Sequence, residues 1–309
     1  MYQKTLKKSF SLAGTGLHTG REVSIKVSSA PVDSGIIFKR TDKALSEAFI
    51  KASFENVTET FLRTELSNKF GTCVTTAEHL LAAFAGTGIQ NALIELDASE
   101  IPILDGSSRV FVREILKAGI IEQNKALSVF EVIKPLRVED GKSWAEIRPA
   151  KKFSIDFQIE WPGTALGKQS LDISIVNGTF VRELCDSRTF CKKGDVDHLR
   201  SQGFALGGGI ENAIVVDKGS FAALNGLRYR DECIRHKILD ALGDLSLIGK
   251  PILGKFISYS GGHKITNLLL REAFSRGNIF RSKNSSREDR DKLPGFDISS
   301  DDLERLYES

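Results

Sequence analysis

Apolar and polar residues alternate through residues 23–27 and again around 36–38, the two-residue period of a half-buried strand. A helical period follows over 76–85, then a strand over 91–96 and a second helix over 108–118. The same order then repeats. Residues 144–148 and 153–161 read as strands, the latter strictly alternating. A long helix over 232–248 stops at Gly249 and Pro251, and a strand over 252–259 and a helix over 267–274 follow. The repeat is also visible in register, because His79 and His236 each stand seven residues before a glycine, Gly86 and Gly243. This pattern predicts an α+β protein: two similar two-layer α/β sandwich domains, 1–125 and 126–280, packed together with a seam near 124–128. Residues 186–217 sit inside the second domain as a β-α-β insert, with a helical centre over 196–202, a Gly207-Gly208-Gly209 turn and a strand over 213–216. The tail, 281–309, is rich in charge and serine through residue 292 and is expected to be flexible.

Composition narrows the function classes. Of 309 residues, 41% are hydrophobic and 27% charged, an ordinary balance for a folded soluble chain. A net charge of +3, with acids and bases interspersed, offers no basic stripe for nucleic acid, which leaves an RNA-binding reading without its main requirement. No apolar run approaches the roughly 18 residues of a membrane span. The stretch after Lys4, Lys7 and Lys8 is too short and polar for a secretory signal, so a cytoplasmic location is expected. Four cysteines without a C-x-x-C pair read as reduced thiols. Neither a G-x-S-x-G elbow nor a P-loop is present.

The 232–248 helix carries the strongest chemical signal. Ile234, Ile238, Ala241, Leu242, Leu245 and Ile248 form an apolar stripe. Cys233, His236, Lys237, Asp240 and Asp244 share another arc, about 100° wide at ideal pitch. His236 and Asp240, four apart, can reach one ion. The same arc also reads as a solvated face of helix-stabilising pairs, with Cys233 either a competing ligand or an inert thiol. His79 follows Glu78, and Thr75-Thr76-Ala77-Glu78 matches a capping box, so Glu78 has a purely structural reading too. His18 lies in a glycine-rich turn that lacks dinucleotide-site spacing, and His198 is expected to be exposed on the insert. His263 follows Ser260-Gly261-Gly262, where it suits either a mobile loop or a proton donor.

Several blocks together resemble one family. They are Gly16-Leu17-His18-Thr19-Gly20, residues 75–86 with Glu78-His79, residues 101–107 with Leu104-Asp105-Gly106, and Ser187-Arg188-Thr189-Phe190. Residues 212–217, Arg235-His236-Lys237 with Asp240 and Asp244, and Gly262-His263 with Asn267 complete the set. In this order, over about residues 1–275, the chain resembles the UDP-3-O-acyl-N-acetylglucosamine deacetylases of Gram-negative lipid A (lipopolysaccharide) biosynthesis. The resemblance implies a zinc enzyme, with iron(II) accepted by the same donors, whose ion is held by His79, His236 and Asp240. It implies Glu78 as general base and His263 as the acid oriented by Asp244. Thr189 and Lys237 would steady the oxyanion. It also implies a UDP-sugar lipid substrate, with Phe190, Val196, Leu199, Gly208, Ala213 and Val215 lining an acyl passage and Trp161 stacking on the base. Packing of the insert, or a core role for Trp161, accounts for those residues equally well. A monomer with at most peripheral membrane contact is expected. Ser143, with Lys142 before it, stands where some members carry a basic nucleotide contact, and Val196 and Gly203 allow a different chain-length preference. A zinc amidase acting on another acylated amino sugar shares the metal site but needs no apolar passage.

Overall fold

The computed structural model describes residues 1–308. Two five-stranded sheets carry the architecture. In the first, Phe10–Thr15, Glu22–Ser29, Ala92–Leu96, Ile36–Arg40 and Phe49–Lys51 lie side by side in that order. In the second the order is Leu136–Asp140, Ser143–Arg148, Lys255–Tyr259, Ser154–Trp161 and Gly167–Ser174. Each sheet has one parallel pair, Ile36–Arg40 with Ala92–Leu96 and Ser154–Trp161 with Lys255–Tyr259. The other neighbours in both sheets are antiparallel. The repeat in the hydrophobic pattern is therefore a repeat of topology. Alternation decides which face is buried: Val23, Ile25 and Val27 point inward in one sheet, Ile155, Phe157 and Ile159 in the other.

The described residues also form six α-helices: α1 Glu78–Thr87, α2 Arg109–Ala118, α3 Val196–Ser201, α4 Glu232–Ser246, α5 His263–Arg276 and α6 Ser300–Glu308. A parallel strand pair needs a crossover connection. α1 lies in the first crossover and α4 in the second, so the two helices occupy equivalent places in the repeat. They pack directly on each other, inside one apolar core that includes both sheets. Gly243 allows the approach, because a Cβ there would overlap the backbone carbonyl oxygen of Glu78.

The insert has the expected β-α-β form, with Phe190–Lys192 parallel to Ile214–Val216 and α3 between them. A small sheet of Val57–Glu59, Glu65–Ser67 and Cys73–Thr75 leaves no mark in the hydrophobic pattern, since three-residue strands are too short to display a period. The helix after the second sheet begins at His263 rather than 267.

The expectation of a flexible tail over 281–309 is corrected, apart from Ser309, which lies outside the described residues. Phe280–Asn284 pairs antiparallel with Ser128–Val132, and a capping box from Ser286 to Asp289 closes the turn Arg287–Lys292. α6 then packs on α2 and buries Leu306, while Asp302 pairs with Arg182 at 2.7 Å. The polar composition conceals a few apolar anchors, Leu293, Phe296 and Leu306, all buried. Among the described residues no helix is long and apolar enough to cross a membrane.

Candidate metal centre and active site

α4 is buried on its polar arc as well as its apolar stripe: His236, Asp240 and Asp244 are all inside the protein, which removes the solvated-face reading. Because α1 and α4 cross at Gly243, the first turn of α1 faces the middle of α4. His79, His236 and Asp240 meet there, with one donor atom from each inside a 4.8 Å span. Asp240 Oδ1 stands 3.2 Å from His236 Nε2 and 3.6 Å from His79 Nε2. Tetrahedral ligands about 2.1 Å from an ion are roughly 3.4 Å apart, so the spacing fits a zinc-type cation.

The surroundings prepare each donor. His236 Nδ1 lies 2.9 Å from the Ser187 carbonyl, which fixes the hydrogen on Nδ1 and leaves the Nε2 lone pair free. Burial lowers the His236 pKa and keeps the ring neutral, as a ligand must be. Lys237 Nζ donates to Asp240 Oδ2 at 2.9 Å, leaving Oδ1 toward the imidazoles. Burial, the largest influence on Asp240, pushes its pKa up. The Lys237 ammonium, 2.9 Å from Oδ2, is among the neighbours that outweigh it and hold the carboxyl well below its usual range. Burial likewise pulls Lys237 down, yet Asp240 reverses the direction and its ammonium persists. Burial pushes the Cys233 thiol up to about 12, and the group of converging donors consists of His79, His236 and Asp240, without Cys233.

A buried acid–base pair flanks the cluster. Glu78 Oε1 lies 3.8 Å from His263 Nε2, and burial raises the Glu78 pKa. The capping-box reading of Glu78 fails: the helix cap at Ala77 has no side-chain bond, and Glu78 Oε2 instead accepts the Thr64 amide at 3.2 Å. His263 Nδ1 is 2.7 Å from Asp244 Oδ2. Burial, its largest influence, pulls the imidazole down, but Asp244 and Glu78 together hold its pKa up at about 9. The Thr64 hydroxyl donates to Asp244 Oδ1 at 2.7 Å, so one threonine touches both carboxylates. Neither spacing nor resemblance pointed to Thr64, because only the tertiary fold brings its short strand pair to α4.

The Ser187 carbonyl is itself held in place. Arg188 and Glu232, both buried, pair at 2.9 Å at the start of α4 and anchor the intervening loop. Thr189, half-buried, is tied by its amide to the Gly106 carbonyl at 2.8 Å. A Cβ on Gly106, whose φ is +83°, would overlap the Asn212 carbonyl, so the Leu104-Asp105-Gly106 block closes against the insert. The Phe190 ring lies edge-on to His236 at 6.1 Å and packs on Trp161 at 5.0 Å, which puts both aromatics beside the cluster. Ala213 is buried, and Val215 half-buried, on or beside the strand paired with Phe190. Val196 and Leu199 are half-buried on α3, and Gly208 lies in the turn near Leu17. His198 is exposed, as expected. His18 is buried close enough to feel the charge of His263; burial chiefly drives its pKa to about 4, so it is neutral.

A family model for UDP-3-O-acyl N-acetylglycosamine deacetylase matches residues 3–275. The chain belongs to this deacetylase family. It is 45% identical over 274 residues to the UDP-3-O-acyl-N-acetylglucosamine deacetylase of Shewanella frigidimarina, covering 88% of this chain and 89% of that one. The protein of the same name from Syntrophus aciditrophicus is 42% identical over 270 residues, 87% and 85% of the two chains. That from Shewanella oneidensis is 43% identical over 273 residues, 88% and 89%. Membership of the deacetylase family makes the protein an enzyme that hydrolyses an N-acetyl amide, and the family is one of metalloenzymes. His79, His236, Asp240, the Glu78–His263 pair and the whole insert fall inside the span matched to the family, whereas the tail lies beyond it.

Proposed function

We propose that the protein hydrolyses the N-acetyl group of a UDP-3-O-acyl-N-acetylglucosamine, releasing acetate, as a step of lipid A biosynthesis. The observation that carries this reading is the buried convergence of His79, His236 and Asp240 beside the Glu78–His263 pair, in a chain of the deacetylase family. The ion is Zn2+, with Fe2+ accepted by the same donors. When bound at His79, His236 and Asp240, it supplies Lewis acidity, lowering the pKa of a water and polarising the amide carbonyl.

The chain's own groups do the rest. Glu78, with its raised pKa, takes a proton from the attacking water. As the carbon–oxygen bond forms, charge gathers on the carbonyl oxygen, where the Lys237 ammonium and the Thr189 hydroxyl steady it; the charge returns to the carbonyl as the carbon–nitrogen bond breaks. His263, held protonated by Asp244, delivers a proton from Nε2 to the departing amine. Phe190, Val196, Leu199, Gly208, Ala213 and Val215 line the path of the acyl chain, and Trp161 stacks on the uracil. The partner is thus a UDP-sugar lipid, not nucleic acid. The enzyme works in the cytoplasm as a monomer touching the membrane at most peripherally. Residues 1–125 and 126–280 act as its two domains, one supplying His79 and the other His236 and Asp240.

Metal analysis beside deacetylase turnover tests the reading, on the natural protein and on His236→Ala. The variant is expected to lose both bound metal and turnover. A metal-free variant that still releases acetate would defeat the proposal.

A further inference from the structure

A second concavity lies away from the metal centre. A cavity of about 550 Å³ opens between the two halves, and none of the donors or acid–base residues lines it. α1 reaches it with Leu81 and Phe84, and the C-terminal end of α4 with Leu242, Leu245 and the following Ile248, all buried side chains. Its volume falls within the roughly 300–1,000 Å³ of small-molecule sites.

The charged residues of the lining are mostly cationic. Lys4, Lys51, Lys125 and Lys250 line the cavity against one carboxylate, Asp33, which pairs with Lys125 at 2.9 Å. Lys250 is held by the Ser282 hydroxyl at 2.9 Å, a neutral partner that positions the ammonium group without cancelling its charge, while Lys4 donates to the Gly295 carbonyl at 2.8 Å and lies near Glu122. An apolar floor favours a hydrocarbon chain, and a mouth ringed by ammonium groups favours an anion. We infer that this cavity binds a single-chain anionic amphiphile, an alkyl or acyl chain ending in a phosphate or carboxylate. A cationic amphiphile meets the wrong field, and a nucleotide without a chain leaves the floor uncovered.

Dodecyl phosphate is the probe, titrated calorimetrically into the metal-loaded protein and read as the number of molecules bound per chain. Ala85→Phe, which fills the cavity from α1, is expected to remove one site. The double change Lys51→Glu with Lys250→Glu is expected to do the same from the rim, and keeps the test available if the Phe variant does not fold. An unchanged number of sites in the folded variants overturns the proposal, as does equal binding of dodecyltrimethylammonium or of UMP at this site. Turnover is not the readout, so a failure here is distinguishable from a failure of the proposed activity.

Discussion

His263 is charged at neutral pH because a carboxylate faces each ring nitrogen, Asp244 at 2.7 Å from Nδ1 and Glu78 at 3.8 Å from Nε2. Its pKa of about 9 stands above the ordinary 6.5. Stabilisation from this pairing is therefore fully present below the ordinary value and is lost as pH rises through about 9. NMR titration of the metal-free protein is expected to find the imidazole midpoint near 9, and Asp244→Asn to bring it down. A midpoint unmoved by that change would assign the shift to another group. Thr64 works one step back, through its hydrogen bonds to both carboxylates. Thr64→Val removes the hydroxyl that orients Asp244 and is expected to lower kcat roughly tenfold with little change in KM, while Thr64→Ser keeps it. Equal kcat in the valine variant and the natural protein would exclude that role.

At the scale of elements, the crossing of α1 and α4 sets the site. The helices carry their donors on facing turns, and the separation between those turns depends on the missing side chain at Gly243. Gly243→Ala forces the helices apart or bends one, at a cost of about 1–3 kcal/mol. Its denaturant midpoint is expected to fall, and competition with a chelator to show weaker zinc binding. Native-like zinc affinity in the folded variant would mean that the crossing tolerates a methyl group. The start of α4 contributes separately: Glu232 sits in the first turn, where a carboxylate suits the helix dipole, and its pair with Arg188 stiffens the loop bearing the Ser187 carbonyl.

Across the whole molecule, the site joins the two sheet-bearing halves, and the tail fastens them a second time. Its strand extends the pairing of Ser128–Val132, and α6 returns to α2 in the first half. Deleting residues 278–309 exposes apolar surface around Val129 and α2 without touching His79, His236 or Asp240. The truncated protein is expected to melt several degrees lower while retaining its metal, as read by calorimetry and metal analysis. An unchanged Tm would show that the tail's contacts contribute nothing to stability.

Periodicity alone was enough to read the duplicated α/β plan, the burial of alternate strand residues and the helical spacing of His236 and Asp240. These are local properties: the side-chain repeat of a strand or helix is set by its own backbone. The residue types and their order also carried the likeness to the deacetylases, and with it the expectation that His79, His236 and Asp240 come together. Local spacing could not say whether the polar arc of α4 meets water or α1, since both outcomes need the same residues at the same intervals. Nor could it join Thr64 to Asp244 and Glu78, or distinguish a flexible tail from one anchored by Leu293, Phe296 and Leu306. Those outcomes belong to the tertiary structure, because each depends on which distant surface arrives opposite, and a buried charge is stable only when that surface supplies its partner.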